Sequence, residues 1–255
     1  LENRQTIKHH LIDVVEPSES FSVDAFLNMT QQAVNEIEGK GKPVVAVGGT
    51  AMYIKALLYG IFEGPGTNEN IRNNLKEQIQ KFGLEELHKK LFIIDPQAAS
   101  RIHRNDEKRI IRALEVYELT GRPISSFQSQ FSSKPKDEWL VIGLQRDKAD
   151  ASSRINTRVK KMVEMGLVDE VKSLLAEEKP LSMQAGCAIG YAEIINYLQG
   201  NETLEKSIEQ IKINTRRFAK AQRTWFKTFR FVNWLNVAPD DTIEQVLERT
   251  LALIE

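Results

Sequence analysis

Residues 44–60 constrain this chain more than any other stretch. Val44-Val45-Ala46-Val47 runs into Gly48-Gly49-Thr50, and Ala51 to Tyr59 then continues as an amphipathic helix before Gly60. A β-branched run that ends in two glycines and re-enters as a helix reads as a strand–turn–helix unit. Glycine at such a junction lets the backbone approach a ligand. The start of the helix also offers unpaired N–H groups to an anion. The Thr50 hydroxyl sits where it can cap the helix or touch a phosphate oxygen. Many α/β proteins carry the same turn without a ligand, so the local pattern leaves both readings open.

The surrounding elements alternate in the same way. Leu11 to Val15 reads as a short strand. Ser22 is placed to cap a helix running to Glu38, with Val23, Phe26, Met29, Ala33 and Ile37 near one face. From Phe62 to Lys136 the pattern becomes almost wholly helical, with Asn105 expected to cap a helix over 106–119 and Gly121 to end it. Gln128 to Lys136 reads as a polar, mobile segment. Trp139 to Leu144 then reads as a strand rejoining the sheet. Helices follow over 152–164, 167–177, 188–198 and 203–229, then a strand over Val232 to Val237 and a terminal helix over 241–254. Helix and strand in alternation imply a parallel α/β sheet, and the helical block reads as an insertion. The expected division is a core of residues 1–62 and 137–255 with an insertion domain of residues 63–136.

The single cysteine, Cys187, excludes an internal disulfide and fits a reducing, cytoplasmic setting. No apolar run is long enough for a membrane span. Leu1 is not an initiator methionine, and the opening residues read as the lead-in to a strand, so further residues are expected upstream.

The formal net charge is zero, with 35 basic and 35 acidic residues, but the cations are not spread evenly. From Lys212 to Arg230 the charged residues are Lys212, Arg216, Arg217, Lys220, Arg223, Lys227 and Arg230, with no acidic residue among them. On a helix, Arg216, Lys220, Arg223, Lys227 and Arg230 share one face, while Ile211, Phe218, Trp225 and Phe229 share the other, expected to be the core side. Without carboxylates three or four positions away inside the run, mutual repulsion goes unrelieved unless a partner supplies negative charge. A solvated helix face and a phosphate-rich partner are both consistent with this pattern. Nucleic-acid contacts made in this way are salt-sensitive and mostly sequence-blind.

Other candidates are weaker. His9 and His10 have no third ligand at metal spacing, and no protein-ligated metal site is expected. Lys108, Arg109 and Arg112 lie within a turn of each other and can grip a phosphate backbone or simply face solvent. Arg154 and Arg158, one turn apart, can reach a common anion.

Five motifs occur in order: His9-His10-Leu11-Ile12-Asp13; Val47-Gly48-Gly49-Thr50 through Tyr59; Asn105-Asp106 through Arg109 with Arg112-Ala113-Leu114-Glu115; Ala188-Ile189-Gly190-Tyr191; and Thr215-Arg216-Arg217-Phe218-Ala219-Lys220 through Thr224-Trp225-Phe226. Over nearly its whole length the chain resembles the tRNA dimethylallyltransferases, also called tRNA isopentenyltransferases (the IPP transferase family). The resemblance implies an α/β fold, a P-loop NTPase-like parallel sheet core with a mostly helical insertion. It implies transfer of a dimethylallyl group from dimethylallyl diphosphate to N6 of the adenosine 3′ of the tRNA anticodon (adenosine 37). It further implies nucleotide binding, Mg2+ assisting the diphosphate, a base flipped into a channel, and a cytoplasmic monomer with no membrane partner.

Carried over residue by residue, the resemblance puts Thr50 at the reaction centre, touching donor oxygen or acceptor base. Gly48, Gly49 and Arg158 would bind the diphosphate, with Arg158 stabilising the charge that builds on the leaving group. Arg72 would contact tRNA from the start of the insertion. Lys108, Arg109 and Arg112 would hold the anticodon stem-loop, and Gly190, Tyr191, Lys220, Gln222, Arg223, Trp225 and Lys227 would line the RNA path.

The departures are equally specific. The family opens with a Gly-x-Thr-x-x-x-Gly-Lys-Thr/Ser loop and, somewhat later, an Asp-Ser motif whose aspartate is the general base. Neither is present, so these 255 residues alone are expected to transfer little or no prenyl group. Ala192 and Ala221 stand where the family usually has a basic residue. Two alternatives remain: an adenylate isopentenyltransferase acting on free nucleotide, and a non-catalytic tRNA-binding remnant.

Overall fold

The computed structural model describes residues 6–60, 64–127 and 139–254. Its elements in chain order are α1 (Val23–Glu38), α2 (Ala51–Tyr59), α3 (Glu69–Phe82), α4 (Leu84–Ile94), α5 (Pro96–Ala99), α6 (Glu107–Thr120), β1 (Val141–Arg146), α7 (Lys148–Glu164), α8 (Leu167–Leu175), α9 (Met183–Gly186), α10 (Tyr191–Leu198), α11 (Leu204–Phe226), β2 (Val232–Val237) and α12 (Ile243–Leu251). The chain divides into two compact units, Leu1–Lys55 with Glu138–Glu255, and Ala56–Asp137. The domain edges expected at 62/63 and 136/137, and the polar segment expected over 128–136, lie outside the described residues.

Side-chain caps set most helix starts. Ser22 Oγ accepts from the Ala25 N–H at 3.0 Å, Asn68 Oδ1 from Ile71 at 3.1 Å and Thr203 Oγ1 from Lys206 at 3.4 Å, each taking up a donor that the first turn leaves unpaired. Several starts differ from the sequence reading: α10 begins at Tyr191 and not Ala188, α12 at Ile243 and not Asp241, and two others are set by aspartates. Asp106, not Asn105, caps α6, its Oδ1 accepting from the Arg109 N–H at 3.2 Å. Asp147 opens α7 four residues early by accepting from Ala149 at 2.6 Å and Asp150 at 3.4 Å. These N–H groups, Ala149 foremost, hold the Asp147 carboxyl below the usual range.

In the first unit β1 and β2 pair in parallel, Val141 opposite Val232 through Arg146 opposite Val237. A parallel pair needs a crossover connection, and α7 to α11 supply it. Val159, Leu167, Val171, Ile194 and Ile211 form the core of this crossover. The described elements of the second unit are helices, and Leu75, Leu87, Leu91, Ala98, Ala99, Ile110, Ile111, Ala113, Leu114, Val116 and Ile124 pack together there.

The stretch leading into Gly48 departs from expectation. Residues 44–47 form no ladder with any described strand, and Val45 and Val47 are 78% and 93% exposed. β-branched residues make a strand only where a neighbouring strand takes up the backbone groups. Leu11 to Val15 is not a strand for a different reason. Leu11 and Asp13 have φ of 58° and 55°, a left-handed region that strands do not use.

Candidate functional site

The Gly48-Gly49-Thr50 turn is held from two sides. Thr50 O accepts from the Ile54 N–H at 3.1 Å, the first rung of α2. Tyr53, on the first turn of α2, stacks on Phe26 of α1 with ring centroids 4.5 Å apart, and Phe21 meets it edge-on. From the far end of the chain, Gln222 Nε2 on α11 donates to Gly49 O at 2.6 Å. The turn therefore sits against the cationic helix, and Thr50 is left exposed.

A side chain at position 49 has no room: an added Cβ would lie 2.4 Å from Gln222 Nε2. The obstructing atom is the tip of a flexible side chain. Gly49→Ala is therefore expected to cost only about 1 kcal/mol, the worth of one hydrogen bond, while expelling Gln222 from the turn. Calorimetry should show a small fall in Tm, and the Gln222 side-chain amide resonances should shift to solvent-like positions.

Helix α11 is a single 23-residue element, and its charge is arranged differently from the sequence reading. Glu209, just ahead of the basic run, pairs with Lys212 Nζ at 3.1 Å and with Arg216 at 3.4 Å, and Arg216 Nη1 donates to Asn156 Oδ1 on α7 at 2.6 Å. Repulsion in the first half is thus relieved inside the protein, which the run taken alone did not show. Arg217, Lys220 and Lys227, further along, are exposed and make no ion pair among the described residues.

The expected core face also divides. Ile211 and Phe229 are buried, but Phe218 is 54% and Trp225 41% exposed. The core against α11 is met by Leu204, Ile208 and Ile211 in its first half, and among the described residues Phe218 and Trp225 meet no comparable core. Arg217, Lys220, Ala221, Thr224 and Trp225 line one shallow groove. Cations beside an exposed indole suit phosphates and stacked bases. Arg217 was missed by the sequence reading of the site, although it lies within the same basic run.

The Ala188-Ile189-Gly190-Tyr191 motif forms the turn into α10. Gly190 adopts φ 104°, a conformation strained for any other residue. The Tyr191 hydroxyl donates to Glu170 of α8. Burial, together with Glu170, pushes this phenol up to about 12, so it stays a neutral donor at physiological pH. Glu193, absent from the sequence reading, closes the turn by accepting from the Gly190 N–H.

In the helical unit, Arg72 and Arg112 converge on Glu115, whose side chain is fully buried. Glu115 accepts from Arg72 Nε at 2.9 Å, Arg72 Nη2 at 3.2 Å, Arg112 Nη1 at 2.7 Å and the Asn68 N–H at 2.7 Å. Arg112 also donates to the Pro65 and Gly66 carbonyls at 2.6 and 3.2 Å. Both arginines are thus committed first to Glu115, and Arg112 in addition to the loop that precedes α3. Lys108 and Arg109 are exposed, with Arg109 joined to Asp106 at 3.3 Å.

Arg154 is bound to Asp150 and to the Pro239 carbonyl. Arg158 is exposed and makes no hydrogen bond or ion pair among the described residues. No three His, Cys, Asp or Glu side chains come together there to hold a metal ion.

The sequence model of the IPP transferase family matches residues 1–229. The tRNA dimethylallyltransferase of Thermotoga maritima is 42% identical over 254 residues, which is 99% of this chain and 82% of that protein. The tRNA dimethylallyltransferase 2 of Geotalea uraniireducens is 42% identical over 233 residues, 91% of this chain and 75% of that one. Among solved structures, the tRNA isopentenylpyrophosphate transferase of Bacillus halodurans superposes with a TM-score of 0.69 at 37% identity, over 99% of this chain and 79% of that chain. A eukaryotic dimethylallyltransferase acting on tRNA gives 0.78 at 25% identity, over 98% and 65%. The α/β, P-loop NTPase-like class expected from the sequence is that of these neighbours.

Proposed function

The chain belongs to the IPP transferase family, and from that premise we propose that it transfers a dimethylallyl group from dimethylallyl diphosphate to N6 of the adenosine 3′ of the anticodon in tRNA. One observation carries the reading. The exposed Lys220, Trp225 and Lys227 lie on the last turns and at the C-cap of α11, the helix that also carries Gln222, and Gln222 reaches the Gly49 carbonyl. An RNA bound along α11 is thereby delivered to the Gly49-Thr50 turn.

In this reading Thr50, exposed at the turn, directs its hydroxyl to donor or acceptor. Gly48 and Gly49 leave the backbone open to the diphosphate. Arg158, with no competing carboxylate among the described residues, meets the charge that develops on the leaving diphosphate. Lys220, Arg223 and Lys227 neutralise RNA phosphates, and Trp225 stacks on a base extruded from the loop. Gln222 acts through its bond to Gly49, and Gly190 and Tyr191 form a rigid neutral wall. Lys108 and Arg109 hold the stem from the helical unit, where Arg72 and Arg112 fix the surface through Glu115. Magnesium, implied by the resemblance, finds no cluster of three protein ligands among the described residues. The enzyme acts as a cytoplasmic monomer, and no described helix is long and apolar enough to cross a membrane.

The acceptor class is tested by titrating a labelled anticodon stem-loop against a plain RNA duplex of equal length and charge. The stem-loop should bind at least about tenfold more tightly, a difference of about 1.4 kcal/mol, because only it offers unstacked bases to Trp225. Equal binding of the two would contradict a loop-directed site.

A further inference from the structure

Glu193 is a buried acidic residue that makes no ion pair among the described residues. Its side chain belongs to the first turn of α10, and the residue is 8% exposed. It reaches two elements at once. Oε2 accepts from the Gly190 N–H at 2.7 Å, and Oε1 accepts from Asn214 Nδ2 on α11 at 2.7 Å. Both partners are donors, so the carboxylate is satisfied by hydrogen bonds at the start of a helix, where negative charge is favoured.

The second bond acts on the rotation of α11 together with its core contacts and the Arg216–Asn156 bond. At about 100° per residue, Asn214 lies on the same side as Phe218 and Trp225, one and three turns further on, with Gln222 close to that side. Any roll or slide of α11 about the Glu193 anchor therefore moves the Trp225 ring and the Gln222 amide together. The first bond fixes the Gly190 turn. One carboxylate thus ties the turn to the helix that carries the basic groove.

We infer that Glu193 is a positioning residue for the RNA acceptor, setting the rotation of α11 relative to the Gly190-Tyr191 turn through Asn214. The inference rests on the assignment of α11 to RNA. It goes further in naming what holds the groove in register.

Its test is anticodon stem-loop binding by the full 255-residue chain, read alongside Tm. Glu193→Gln keeps one acceptor oxygen for Gly190 but opposes an amide to the Asn214 amide. It should weaken stem-loop binding about tenfold with a small change in Tm, and Asn214→Ala should do the same. The pair Glu193→Gln with Asn214→Asp reverses the polarity of the bond. The amide introduced at position 193 then donates to the carboxylate introduced at position 214, and binding should return to within about twofold of wild type. The salt dependence of binding should stay unchanged throughout, because no phosphate contact is removed. Stem-loop affinity equal to wild type in Glu193→Gln would overturn the inference, as would a double variant no better than the single ones. Failure of the wild-type chain itself to bind the stem-loop would instead overturn the assignment of α11 to RNA.

Discussion

Replacing Lys220, Arg223 and Lys227 together by alanine should weaken anticodon stem-loop binding on the order of hundredfold near 0.1 M salt. It should also lower the slope of log affinity against log salt by about 2–3 units, since each neutralised phosphate contributes roughly 0.7–0.9. The expectation follows from how the charges of α11 are disposed. Lys212 and Arg216 already share the Glu209 carboxylate, so the groove side depends chiefly on the cations beyond them. These side chains lie outside the hydrophobic core, so Tm should hold within about a degree or two. Trp225→Ala offers the contrast. Losing one stacked base costs about 1–3 kcal/mol, and the salt slope should not move. A triple variant with an unaltered slope would show that the cations at this end of α11 face solvent only.

The second large effect concerns Glu115. Removing its carboxylate by Glu115→Ala leaves two guanidinium groups and the Asn68 N–H facing a buried void. Breaking a buried charged cluster from one side costs roughly 3–5 kcal/mol. Arg72 and Arg112 are 29% and 28% exposed and can recover some hydration, which places the expected loss near the lower end, about 3 kcal/mol. Hydrogen exchange should locate it in residues 64–127, with α3 and α6 losing protection while β1 and β2 keep theirs. The pH dependence has a definite sign. Burial raises the Glu115 carboxyl, but hydrogen bonds from Arg72, Asn68 and Arg112 outweigh it and hold the group below its ordinary value. A carboxyl depressed in the folded state stabilises fully above its unfolded range, near about 4.3, and loses that contribution as pH falls through the folded value. The wild-type helical unit should therefore lose stability in acid through a term that Glu115→Gln lacks.

Helix periodicity made much of this molecule legible. The start and end of α1, the whole of β2 and the long continuous α11 all follow from apolar spacing and capping residues. Partnership is what a linear pattern cannot carry. Val44 to Val47 has strand composition, yet no described strand takes up its backbone. Phe218 and Trp225 have core spacing, yet remain exposed because the core against α11 is met in its first half. Periodicity reports that a face is apolar, and the same spacing serves a core or a binding groove.

Buried carboxylates escaped in the same way. Glu115 stood inside a quoted motif, and its position three residues after Arg112 on an apolar helix face was the available signal. Glu193 stood three residues after Gly190, at the spacing of a helix-capping glutamate. In each case the residue acts through what it holds, which only the folded contacts reveal. Arg72 and Arg112 illustrate the converse, since the resemblance implied RNA contact for both while their geometry commits them first to Glu115.

The claim that α11 receives an RNA loop, and not a free nucleotide, is tested most directly by competition. A fluorescent anticodon stem-loop bound to the chain is titrated with AMP and, separately, with unlabelled stem-loop. Unlabelled stem-loop should displace the probe at comparable concentration. AMP lacks the run of phosphates that Lys220, Arg223 and Lys227 neutralise, and should leave the probe bound at about a hundredfold excess. Displacement by AMP at concentrations matching those of the stem-loop would contradict the account.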